Sequence, residues 1–162
     1  MFAVSTILVT IFLTAHVFCM HGASGHLHTR CPTGWISYAD TDNKCIKAFG
    51  EGKPYTDALE YCEQFKNGTL VSIHNAFQNA QVGTHFYDLE NQFPYYIGLN
   101  NLKNISKYEW VDGSVLDYTN WHFSPRYGDL YGVEMHSDIS TLGKWDCDYY
   151  LLPFYFVCMQ DL

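Results

Sequence analysis

The residue types able to do chemistry gather in the second half of the chain. His122, Asp129, Glu134, His136 and Asp138 set two imidazoles among carboxylates, the donor types that bind zinc. Their spacing matches no ligand pattern, and the expected state is a solvated loop without metal. Near the start, His26-Leu27-His28 would put a histidine third in a chain cut after Gly25, an arrangement that captures copper; a floppy terminus is the preferred reading. The sequence has no H-E-x-x-H, no G-x-S-x-G and no phosphate-cradling glycine loop, so no enzyme is expected. What remains is the chemistry of contact. Trp121, Phe123, Tyr127, Tyr131, Tyr149 and Tyr150 bring flat rings to the same half, suited to stacking on sugar faces or to a protein-binding patch.

These residues must be positioned by one domain. Of 162 residues, 48% are hydrophobic and 16% charged, a composition that builds a packed core rather than a disordered chain. The 17 acidic residues outnumber 9 basic ones, for a net charge of -8, which argues against nucleic acid and against anionic membranes as partners. A nearly continuous apolar run from Phe2 to Phe18, followed by Ala23-Ser24-Gly25, predicts a signal peptide over 1–25 and a secreted domain over 26–162. No later run is long enough to span a bilayer, so no membrane insertion is expected. Cys31, Cys45, Cys62, Cys147 and Cys158 lack C-x-x-C pairs and suit disulfides in an oxidising compartment. The sequons at Asn67 and Asn104 make these two asparagines candidate glycosylation sites.

Local patterns supply the elements. Trp35 to Tyr38 and Lys44 to Phe49 alternate apolar and polar residues around Asp40-Thr41-Asp42-Asn43, which predicts a hairpin. Thr56 reads as the N-cap of a helix carrying Ala58, Leu59, Cys62 and Phe65 inward and stopping at Asn67-Gly68. Leu70 to Ile73 is β-rich, and Asn75 caps a second helix in which Ala76, Phe77 and Ala80 share a face. Tyr95 to Leu99 reads as a buried strand, with strands and turns beyond it. The class is α+β, two helices packed on antiparallel sheets with a long irregular loop region.

Several runs together carry a resemblance: Tyr55-x-x-Ala58-x-x-x-Cys62, Leu70-Val71-Ser72-Ile73, Tyr96-Ile97-Gly98-Leu99, Trp110-x-Asp112-Gly113-Ser114, Tyr118-Thr119-Asn120-Trp121, Gly143-Lys144-Trp145 and Phe156-Val157-Cys158. From Cys31 to Cys158 the sequence resembles the C-type lectin-like domain, and its small secreted layout resembles single-domain members from nematodes. The resemblance implies a C-type lectin-like fold whose termini meet, with Cys62 bonded to Cys158 and Cys31 to Cys45. It also implies a second bridge in the loop half, but the two positions fall on Gly132 and Tyr150. Cys147 is then left over. A buried thiol, a disulfide-linked homodimer and a pairing with a retained Cys19 all remain open.

The resemblance further implies calcium held by a Glu-Pro-Asn or Gln-Pro-Asp triplet and an Asn-Asp pair after the tryptophan, with sugar hydroxyls completing the shell. Here the triplet reads Ser124-Pro125-Arg126 and the pair Asp146-Cys147, with Asp129 as a further carboxylate. A hard ion that wants about 6–8 oxygens meets a guanidinium and a sulfur instead, so neither calcium nor any other cofactor is expected. The peptide before Pro125 is commonly cis in the family; cis and trans both remain open here. The expected function is recognition of a glycan or glycoprotein through Trp121, Pro125, Arg126, Asp129 and Asp146. The alternative is a calcium-independent protein-binding or structural module on the same scaffold.

Overall fold

The computed structural model describes residues 31–85, 87 and 93–162. The expected signal over 1–25, Cys19 and His26-Leu27-His28 lie outside the described residues. In chain order the elements are β1 (Ile36–Ser37), β2 (Lys44–Lys53), α1 (Tyr55–Glu63), β3 (Thr69–Leu70), α2 (Ala76–His85), β4 (Tyr95–Asn100), β5 (Glu109–Trp110), β6 (Tyr131–Met135), β7 (Trp145–Tyr149) and β8 (Phe154–Asp161). The sheet runs β1-β2-β8-β4-β6-β7, with β3 also on β8 and β5 also on β4. No helix among the described residues is long and apolar enough to cross a membrane.

The predicted hairpin forms as β1 and β2, pairing Ile36 with Ile46 across a turn in which Asp40 takes a φ of 55°. β2 then pairs with β8 from Lys44↔Asp161 onward, so the ends of the domain meet. The sheet is mixed, whereas the sequence predicted antiparallel pairing throughout: β4 and β8 run parallel, Tyr95 opposite Tyr155. β8 is antiparallel to β2 and β6 is antiparallel to β4. β2 and β4 thus point in opposite directions, so the strand between them parallels one of the two, and the stretch 101–153 supplies the long crossover that a parallel pair needs.

Two local expectations are corrected. Thr56 is not the N-cap; Pro54 holds that position with no side-chain cap, and Thr56 Oγ1 bonds Asp57 instead. The helix starts earlier because the Tyr55 N–H, normally an orphan at a helix start, donates to Tyr150 O at 2.8 Å. The helix ends at Glu63 with a right-handed C-cap at Gln64, so its stop does not fall at Asn67-Gly68; Asn67, with φ 47°, turns the chain three residues later. In α2, Asn75 Oδ1 caps Gln78 N at 2.9 Å as expected. Ala76, Phe77 and Ala80 do share a face, the outward one, and Gln78, Asn79, Val82 and Gly83 face inward. Periodicity could not choose this face, because two of its buried residues are amides with specific partners: Gln78 Nε2 reaches Ala39 O at 3.0 Å and Asn79 Nδ2 reaches Gly143 O at 3.1 Å. In the β-rich run 70–73, Leu70 pairs with β8, Val71 bonds both neighbouring strands, donating to Val157 O at 2.9 Å and accepting from Gly98 N at 2.7 Å, and Val71 and Ile73 are core.

Cys31–Cys45 and Cys62–Cys158 form the two disulfides, the second tying α1 to β8. Where the resemblance expects another bridge, an aromatic ring takes its place. A Cβ on Gly132 would lie 2.4 Å from Tyr55 Cδ2, and Tyr55 Oη accepts from Asn100 Nδ2 at 3.2 Å. Both would-be cysteine positions, Gly132 and Tyr150, thus meet Tyr55. Closing the loop of sequence separation 96 between Cys62 and Cys158 contributes about 4–5 kcal/mol through the unfolded chain. The double change Cys62→Ala with Cys158→Ala is expected to lower the denaturant midpoint by an amount equivalent to that energy, whereas Cys31→Ala with Cys45→Ala, closing only a short loop, costs about 3 kcal/mol. Urea titration of both variants measures the difference.

Candidate functional site

The loop half is positioned by Trp145 at the start of β7. Its indole Nε1 donates to Asn79 Oδ1 at 2.7 Å, and its ring meets the edges of Trp110, Tyr118 and Trp121 at centroid distances of 5.8, 5.7 and 5.9 Å. The loop strand is strapped alongside: Trp145 N donates to Asn120 O at 3.0 Å and His122 N to Trp145 O at 2.8 Å. Trp121 is half-buried in this strap rather than displayed. Strand alternation then turns Trp145 and Cys147 into the core and leaves Asp146 and Asp148 on the other face.

Pro125 follows a trans peptide, since the described residues contain no cis bond. Arg126 is fastened to β7 at several points. Its N–H donates to Cys147 Sγ at 3.1 Å, and its guanidinium Nη2 donates to the Cys147 carbonyl and, at 3.0 Å, to Asp148 Oδ1. The same guanidinium lies 5.2 Å from the centroid of the Tyr131 ring, and the Arg126 carbonyl accepts from Tyr108 Oη at 2.7 Å. Phe123, Ser124, Arg126, Asp146, Cys147 and Asp148 line a groove of about 330 Å³, with Phe123 exposed at its rim.

Of the residues expected in a binding face, Pro125, Arg126 and Asp146 meet in or beside this groove. Asp129 does not line it; its carboxylate accepts from Leu130 N at 2.8 Å. Phe123, Tyr127 and Tyr149 are exposed, Tyr150 is half-buried, and Tyr131 is buried against the guanidinium, a correction to its expected display. Cys147 is a free thiol and only 3% exposed, which leaves no access for a second chain's sulfur in this conformation. The sequon residues Asn67 and Asn104 are both exposed; Asn67 Nδ2 donates to Asp161 at 2.9 Å, and Asn104 Oδ1 caps Ser106 N at 3.0 Å.

A family model described as the lectin C-type domain matches residues 51–160. The chain belongs to the C-type lectin domain family. In sequence it is 30% identical over 150 residues to a snaclec of the snake Philodryas olfersii, a match covering 86% of this chain and 92% of that protein. In fold it is similar to human lithostathine, with a TM-score of 0.71 at 26% identity over 84% of this chain and 94% of that one. A calcium-independent type II antifreeze protein shares the fold at TM-score 0.66 and 20% identity, covering 81% of this chain and 94% of its own.

The residues of this C-type lectin domain do not fit the calcium ion that the family name implies. The groove offers the Asp146 and Asp148 carboxylates, the second already paired with Arg126, together with a cysteine sulfur. Arg126 also occupies the Cys147 carbonyl, so a fixed monovalent cation already stands on oxygens that a hard dication would need.

Glu134, expected in or beside a solvated loop, lies on β6 and is only 3% exposed, and its Oε2 has no hydrogen-bond partner among the described residues. Burial, reinforced by the carboxylates of Asp148 and Asp146 on β7 and weakly opposed by Arg126, pushes its carboxyl up to about 8. Because the proton is held more tightly in the folded chain, the stabilising contribution is complete below pH 4.5 and is lost as pH rises through 8. Relative to Glu134→Gln, which cannot ionise, the wild-type chain should lose about 1.4 kcal/mol per pH unit across that window. Denaturation of both proteins at a series of pH values tests this; parallel profiles would contradict it.

Proposed function

We propose that the chain is a secreted, non-enzymatic recognition protein that binds a glycan or glycosylated surface through the groove beside β7, without calcium. The observation that carries the reading is Arg126, whose guanidinium joins the Ser124-Pro125-Arg126 turn to the Cys147 carbonyl and Asp148. A bound cation ordinarily does that joining in the sugar-binding members of the family, and here a side chain does it permanently. The groove keeps what sugar recognition needs: an exposed ring at Phe123, a guanidinium that donates in several directions, and the Asp146 carboxylate to accept from hydroxyls. Residues 1–25 act as the signal peptide, and Asn67 and Asn104 carry glycans. The calcium-independent antifreeze relative gives precedent for the scaffold working without the ion.

The test is a glycan array probed with and without added calcium, using wild-type protein and Arg126→Ala. Binding is expected to be the same in both buffers. It should fall about tenfold in the variant, the effect of losing one charge-assisted hydrogen bond of about 1.5 kcal/mol. Binding that appears only with calcium would overturn the reading, and silence in both buffers would favour the protein-binding alternative. With Cys147 buried, non-reducing electrophoresis should show a monomer; a reductant-sensitive dimer would restore the disulfide-linked form.

A further inference from the structure

Beside the groove, His122, His136 and Asp146 bring one ligand atom each to within 4.8 Å of the others. Among the described residues this is the one group of three such side chains so placed. They come from three separate pieces of chain, and each piece is fixed by its backbone. His122 N donates to Trp145 O at 2.8 Å, His136 N donates to Lys144 O at 2.8 Å, and Asp146 directly follows these two acceptor residues, on β7. Asp146 Oδ2 stands 3.0 Å from His136 Nε2 and 3.3 Å from His122 Nδ1. Ligands on a tetrahedral ion with bonds of about 2.1 Å are separated by about 3.4 Å, so two edges of such a shell are already near length.

The hydrogen bonds behind His136 decide what faces Asp146. Thr141 has a single hydroxyl proton and donates it to Asp138 Oδ2. Its oxygen, 2.7 Å from His136 Nδ1, must therefore accept, which places the imidazole proton on Nδ1. Nε2 then faces a carboxylate oxygen 3.0 Å away, so either a second ring proton or a metal cation can sit between them. A carboxylate backing a histidine through its distal nitrogen is also how metal-ligating imidazoles are oriented. The donors are two nitrogens and one oxygen, a borderline set that suits zinc and is too poor in oxygen for calcium. The three side chains are partly exposed, so a fourth position can face solvent.

We propose that His122 Nδ1, His136 Nε2 and Asp146 form a binding site for a zinc-class divalent cation, with one position left for water or a ligand oxygen, and that Asp138 and Thr141 position His136. The site shares Asp146 with the groove of the glycan reading but does not rest on that reading, and it is tested without any glycan. Isothermal titration of metal-stripped protein with zinc chloride should show one saturable site, with no comparable heat from calcium chloride. Cobalt(II) should give the visible absorption of a low-coordinate nitrogen and oxygen shell. His122→Ala and His136→Ala should each abolish both signals, and Thr141→Val should weaken zinc by about 10- to 100-fold, the usual effect of removing an outer hydrogen-bond partner. Far-UV circular dichroism verifies that the variants fold. No saturable zinc heat, or heat that persists in the His122→Ala, His136→Ala double variant, would overturn the proposal.

Discussion

The geometry of the loop half depends on the buried indole of Trp145. A buried indole N–H left without an acceptor costs free energy, and Asn79 on α2 supplies that acceptor to Trp145, whereas the equally buried Trp110 Nε1 has none among the described residues. The bond fixes α2 against β7, and the edges of Trp110, Tyr118 and Trp121 fix the loop strand against both. Once Trp145 points inward, the two-residue period of the strand settles the rest: Cys147 must go into the core and Asp146 and Asp148 must leave it. Arg126, His122 and His136 can then find those carboxylates because the backbone carrying them is bonded to the same strand.

Two covalent or ionic ties common in this family are replaced here by packing and by a fixed charge. The Tyr55 ring packs against Gly132 while its backbone N–H bonds the Tyr150 carbonyl, so one residue contacts both positions that lack a cysteine. Arg126 similarly supplies positive charge against the carbonyl of Cys147 and the carboxylate of Asp148. A guanidinium delivers its hydrogen bonds in a fixed fork and remains charged at any physiological pH, so the loop it closes does not depend on an ion's concentration.

The same face gathers more acid than Arg126 offsets. Asp146, Asp148 and Glu134 crowd one side of the β6–β7 pair, and the buried member responds by keeping its proton. Asp146 instead draws two imidazoles. One strand face thus carries a carboxyl neutralised by burial, another paired with arginine and a third bound by histidines, three ways of managing negative charge in limited water.

Much of this molecule was legible in its amino acids because the relevant signals are local. The hairpin around Asp40–Asn43, the Asn75 cap and the buried run of β4 follow from period and turn chemistry, and the two disulfide pairings from the family resemblance. The missing oxygen ligands at Ser124, Arg126 and Cys147 were equally plain, since a side chain's donor atoms are fixed by its type. The structure alone decided which separated groups meet. Gln78 and Asn79 face inward because of acceptors far along the chain, β8 lies parallel to β4 because of where it inserts, and His122 joins His136 and Asp146 through strand register. No local pattern encodes these, because register across a long irregular loop is set by the packing of the whole core.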